Sequence, residues 1–132
     1  MPTITLKDGL MINAIMTGAT GLGLALFAEL SAYFLIPGAP AWLIMAFGIA
    51  LLLFAVDVGL IAQWKNASVS LVGFVFAADL LWVVAVPVIL VLFPSAFTTL
   101  GIIASLAVTV VVAGFAAIEW KGLKQMLAGN PA

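Results

Sequence analysis

Four apolar stretches of roughly 25 residues, separated by breaks of only three or four residues, constrain this chain more than any other feature. They run over residues 11–36, 40–64, 68–92 and 97–120, and the breaks are Pro37-Gly38-Ala39, Lys65-Asn66-Ala67 and Phe93-Pro94-Ser95-Ala96. As helix, each stretch is ~37 Å long, enough to cross a ~30 Å hydrocarbon layer with some tilt. Turns this brief make consecutive helices antiparallel neighbours. The expected fold is all-α: one transmembrane domain over residues 1–132, a four-helix bundle running up-down-up-down. Pro40 suits a first helical turn, and Gly129-Asn130-Pro131 reads as a stop after the last helix.

Composition excludes the soluble alternative, because 67% of the residues are hydrophobic and only 7% are charged. A water-soluble chain of this length has too little interior to hide that much apolar surface. The first stretch is also too long for a signal-peptide core and lacks a clear cleavage site, so it is expected to stay as a helix.

Orientation follows from the lysines. Lys7 precedes the first stretch, Lys65 lies in the second break, and Lys121 and Lys124 follow the fourth stretch, while the other two breaks have none. The positive-inside rule then predicts both termini and the middle turn in the cytoplasm. Trp64 and Trp120, with Lys65 and Lys121, become anchors at the cytoplasmic interface, and Trp42 with Tyr33 marks the outer one. Gln63-Trp64-Lys65 and Glu119-Trp120-Lys121 end the second and fourth stretches alike, which is compatible with a duplicated hairpin.

There is no cysteine and no histidine. The usual ligands of haem, zinc, copper and iron–sulfur clusters are therefore missing, as is the commonest general base near neutral pH. No cofactor or metal is expected. The serines have no histidine partner, the Gly-rich segment 17–23 lies inside an apolar stretch rather than after a strand, and no enzyme is expected. A net charge of -1 without a basic patch argues against nucleic acid.

Chemistry is left to acids within the spans, where a carboxylate is costly and normally faces protein or water. Glu29, Asp57 and Asp79 meet that description, and three carboxylates at different depths suit a proton or cation path. Asp8 and Glu119 lie near the cytoplasmic boundary and are read as interfacial. Ala14, Gly18, Gly21 and Ala25 form a small-residue face leading to Glu29, expected to be a helix-packing seam and a route to self-association. Glu29 is expected to point into the bundle or toward another subunit, and Asp57, in line with Ala46 and Ala50, to face protein. Asp79 lies one turn before Val83, whose carbonyl loses its partner because of Pro87. Asn13, Thr17 and Thr20 are read as interhelical hydrogen-bonding groups, Asn13 being turned about 160° from Glu29.

Thr17-Gly18-Ala19-Thr20-Gly21-Leu22, Asp79-Leu80-Leu81-Trp82-Val83 and Glu119-Trp120-Lys121-Gly122-Leu123-Lys124 together resemble a family of small bacterial four-helix integral membrane proteins of uncharacterised activity, loosely DoxX-like. The resemblance spans most of the chain and implies a bacterial inner-membrane location. It departs from the pattern at Asp79, where Asn is expected. Ala28-Glu29 in the first stretch also looks like the membrane-embedded glutamate of small multidrug resistance exporters, although Glu29 comes late and the lysine bias is one-sided. The functional expectation is an interaction or accessory membrane subunit whose partners are lipid, a second copy or other membrane helices. The alternatives are a small proton- or cation-coupled transporter and a lipid or quinone binder with a cleft beside Pro87.

Overall fold

A computed structural model describes residues 5–64 and 68–129, and over these the chain is helical. The helices are α1 (Leu6–Leu26), α2 (Ala28–Leu35), α3 (Ala41–Gln63), α4 (Val69–Leu92) and α5 (Thr99–Leu127), with a 3₁₀ turn at Pro94–Ala96. Four of them, α1, α3, α4 and α5, are long and apolar enough to cross a membrane. The protein is a small multi-pass membrane protein built as a four-helix bundle.

Side chains placed where backbone N–H groups lack partners set several helix starts. Thr5 accepts from the Asp8 N–H at 3.1 Å, so α1 begins five residues earlier than its apolar run. Ser68 and Thr98 cap α4 and α5 in the same way, through the N–H groups of Leu71 and Gly101. Gly129, at φ +79, turns the chain out of α5 in the left-handed conformation that glycine adopts without steric cost. The predicted first helix of residues 11–36 is thus longer at its start and bent near its end. At Phe27 the backbone leaves helical angles, yet Phe27 N–H still donates to the Gly23 carbonyl at 2.9 Å and Ser31 N–H to that of Phe27 at 2.8 Å.

Packing is uneven around the bundle. The hairpins α1–α3 and α4–α5 are each closely packed, and α1 also lies against α5, but α3 and α4 scarcely touch despite being consecutive. The small-residue face explains the tightest contact. A β-carbon built on Gly21 would fall 2.6 Å from the Gly48 carbonyl oxygen, and one on Gly48 would fall 2.6 Å from the Ala25 nitrogen. Backbones can approach this closely only where both helices present glycine. Gly18 meets Ala55 and Ala14 meets Gly59 along the same antiparallel seam. Ala14, Gly18, Gly21 and Ala25 therefore pack a neighbouring helix as expected, but the neighbour is α3 of the same chain. The face on which self-association was expected is already occupied.

Three layers follow along the bundle axis. At the end carrying both chain termini, Leu6, Leu10, Val58, Ile61, Val72, Val75 and Leu123 form an apolar cluster. At the opposite end Ala28, Ala32 and Ile44 form a smaller one, and Thr98 donates to the Phe34 carbonyl at 2.5 Å, tying α5 to the end of α2. Polar side chains and a cavity occupy the middle.

Candidate functional site

The polar layer is built from three helices. Asn13 of α1, Asp79 of α4 and Glu119 of α5 are 1%, 5% and 0% exposed. The Asn13 amide nitrogen donates to Asp79 Oδ2 at 2.8 Å and to Glu119 Oε2 at 3.1 Å. Its carbonyl oxygen accepts from the Thr17 hydroxyl, one turn on, at 2.8 Å. Every polar atom of the amide side chain is thereby used. One donor group joins two carboxylates, and Glu119 Oε1 remains buried with no hydrogen-bond partner.

No lysine among the described residues balances that charge. Lys7, Lys121 and Lys124 are exposed, and the Lys124 ammonium lies 5.9 Å from the centre of the Trp120 ring. That ring stacks on Phe76 at 5.5 Å, pinning α5 to α4 next to Glu119. Toward the chain termini the acids are backed by the apolar cluster of Leu6, Leu10, Val72, Val75 and Leu123. On the side away from that cluster Asp79 lines a cavity.

That cavity has a volume of about 320 Å³ and lies among α1, α3, α4 and α5. Its wall is mostly apolar, with Phe47, Phe54, Trp82 and Phe115 supplying rings and Asp79, Thr17 and Thr20 supplying oxygen atoms. The space exists because α3 and α4 stand apart, and aromatic rings bridge the gap between them. Phe47 stacks on Trp82 at 5.7 Å, and Phe54 meets Phe74 at 6.1 Å. Trp82 Nε1 is buried without an acceptor. A buried indole N–H normally finds one, so this donor marks a place where an acceptor belongs. Thr17 and Thr20 already donate, to Asn13 and to the Met16 carbonyl, and retain only accepting capacity.

The candidate residues named from sequence separate into two groups. Asp79 is buried and lines the cavity. Glu29 and Asp57 are exposed on the single chain, so neither faces the bundle interior. The inward face of α1 continues past Phe27 at helical spacing through Ala28 and Ala32, and Glu29, one residue round from Ala28, turns out. In α3 the buried stripe is Ile44, Gly48, Ala55, Val58, Ile61 and Ala62, whereas Ala46, Ala50 and Asp57 share the outward face. The three acids expected to mark one path are not brought together. Glu119, expected at the interface, is instead the most deeply buried acid, because α5 continues two turns past it to Leu127. Asp8 is exposed, in keeping with an interfacial position.

Asn13 is legible in the sequence as an interhelical donor, but its partners are not. A signal for Glu119 lies in its own helix, where Gly122 and Leu123 follow at helical spacing and are buried on the same side. Pro87 lies outside the cavity wall, whose α4 contribution ends at Trp82. Trp42, Trp64 and Trp120 are 70%, 58% and 48% exposed, Lys121 is exposed, and Lys65 lies outside the described residues. The chain matches no known family, no curated protein and no solved structure.

Proposed function

We propose that this protein binds, within its bundle, a small lipid-soluble molecule whose head group accepts hydrogen bonds. One observation carries the reading: a mostly apolar cavity of about 320 Å³ is walled in part by Trp82, whose buried indole N–H has no acceptor, and by Asp79, which Asn13 joins to Glu119. The volume is at the small end of the roughly 300–1,000 Å³ range of ligand pockets, and apolar walls with a few convergent polar groups are the usual composition of such sites. The ligand class is a compact carbonyl- or ester-bearing lipid-phase molecule.

The lysine distribution supports both termini on the cytoplasmic side, and the resemblance to small bacterial four-helix membrane proteins supports a bacterial cytoplasmic membrane. Benzophenone tests the binding reading, being an apolar ketone that cross-links nearby C–H bonds on illumination. In proteoliposomes it is expected to label the segments around Met16–Thr20, Phe47–Phe54 and Ala107–Phe115. Ala78→Trp, which fills the cavity, should abolish that labelling while the helical content stays unchanged. Labelling confined to outward residues, or unaffected by Ala78→Trp in a folded protein, would refute the reading.

A second reading, an interaction subunit, is favoured by a separate observation. Glu29 and Asp57 stand outward on apolar helices, where an unpaired carboxylate is expensive, so another membrane helix covering them is the economical arrangement. Because the native chain has no cysteine, Glu29→Cys and Asp57→Cys can be cross-linked in membranes. Adducts with a second copy or another protein support a partner, and monomer alone at both positions removes it.

A further inference from the structure

We infer that Asp79 and Glu119 together hold one exchangeable proton, and that this proton decides which head groups the cavity accepts. The inference rests on the binding reading but begins from separate geometry. Two carboxylates accept from a single amide nitrogen, 2.8 Å and 3.1 Å away. Carboxylates so placed repel when both are charged, and a site surrounded by lipid rather than water screens that repulsion poorly. One proton on the pair removes the conflict, as it does wherever two acids share a site.

The groups around the pair offer no other remedy. From α1 they face Asn13 and Thr17, both neutral, while Lys7 and Asp8 are exposed. From α3 the sole titratable group among the described residues is Asp57, which points outward. Asp79 itself is the only titratable residue of α4, and the remaining charges of α5, Lys121 and Lys124, are exposed. Glu119 Oε1, fully buried and unpartnered, marks the unsatisfied position in the cluster. Asp79, in the cavity wall, is the member that a ligand can reach.

The consequence is a change of hydrogen-bonding character. A carboxylate pair without its proton only accepts, whereas with it one O–H can donate. In the protonated state, with the proton on Asp79 and turned toward the cavity, that O–H can donate to a carbonyl oxygen. After deprotonation the oxygen atoms of Asp79, Thr17 and Thr20 in the wall can only accept, and the negative charge repels the same carbonyl. Acceptor heads are therefore retained at low pH and released as pH rises through the titration of the pair.

Benzophenone and diphenylmethane separate this effect from apolar packing, since they share a shape and differ in the carbonyl. Benzophenone affinity in proteoliposomes should fall about tenfold per pH unit on the alkaline side of the titration, the limiting slope for one linked proton. Displacement of benzophenone by diphenylmethane, corrected for that fall, should give a hydrocarbon affinity independent of pH. The variant Asp79→Asn/Glu119→Gln, whose amides keep a donor at every pH, should bind benzophenone without pH dependence. A flat wild-type profile, or an equal slope in the double variant, would overturn the inference. Infrared spectra without ligand test it even if benzophenone never enters. A protonated carboxyl C=O band at neutral pH should vanish in the double variant and persist in Glu29→Gln and Asp57→Asn. Absence of that band, or its loss in either single variant, would overturn the inference whatever the fate of the binding reading.

Discussion

Asn13→Leu removes the one side chain that hydrogen-bonds both buried acids, and the expected destabilisation can be worked from the three bonds its amide makes. Two are interhelical and one lies within α1, at 2.8 Å, 3.1 Å and 2.8 Å. At the mean of about 0.6 kcal/mol found for hydrogen bonds between membrane helices, the three sum to about 2 kcal/mol. The larger effect is what remains, for both carboxylates stay buried without their donor, and stripping one partner from a buried charged group typically costs ~3–5 kcal/mol. Proton uptake by the abandoned acids moderates that second figure, so the expected loss is about 2–4 kcal/mol. Equilibrium unfolding in mixed lipid–detergent micelles, titrated with a denaturing detergent and followed by tryptophan fluorescence, measures it. In an Asp79→Leu/Glu119→Leu background the same change removes only the local bond to Thr17 and should cost below about 1 kcal/mol. The difference between backgrounds isolates the network. Equal costs in the two, or a loss under about 0.6 kcal/mol in the native background, would refute the view that Asn13 holds the acids in place.

Two further changes test the packing and the topology. Gly21→Val should destabilise the bundle by about 1–3 kcal/mol in the same unfolding assay, since its β-carbon falls 2.6 Å from backbone that cannot yield, whereas Gly23→Ala, with nothing within 4 Å, should be neutral or slightly stabilising. Single cysteines at the exposed positions Ser95 and Ala128 should react oppositely with a membrane-impermeant maleimide in intact cells, Ser95→Cys being labelled and Ala128→Cys protected until lysis.

Much of the architecture is readable from sequence because bilayer thickness and backbone hydrogen bonding leave an apolar 25-residue stretch few options. The packing face of α1 is readable too, since glycine and alanine at helical spacing have one common use in lipid. Rotation of the other helices is not. In a soluble helix the polar side betrays the outer face, but α3 is apolar all round, so Ala46 and Ala50 carry no information about which way Asp57 turns. The bend at Phe27 has no proline to announce it, and Glu29 lies at the margin of the inward face, where spacing alone leaves open which way it turns. Counting from the end of the apolar run misplaces Glu119, whereas α5 continues to Leu127 and buries Gly122 and Leu123 beyond the acid.

The tight seam and the cavity have a common origin in how size is distributed around the ring of four helices. Gly21 and Gly48 bring α1 and α3 nearly backbone to backbone, and α1 also reaches α5, so the slack accumulates on the side where α3 faces α4. Large rings occupy that side, and Phe47, Phe54, Phe74 and Trp82 hold the helices apart as well as bridging them. Asn13 sits where the close-packed side meets the open one, on the helix that the glycines fix most firmly. An amide anchored there can present two hydrogens to acids on α4 and α5, the hairpin less tightly joined to the rest. A motion that carries α4 away from α1 and α3 would lengthen the Asn13–Asp79 bond, because Asn13 belongs to the close-packed α1–α3 pair and Asp79 to α4.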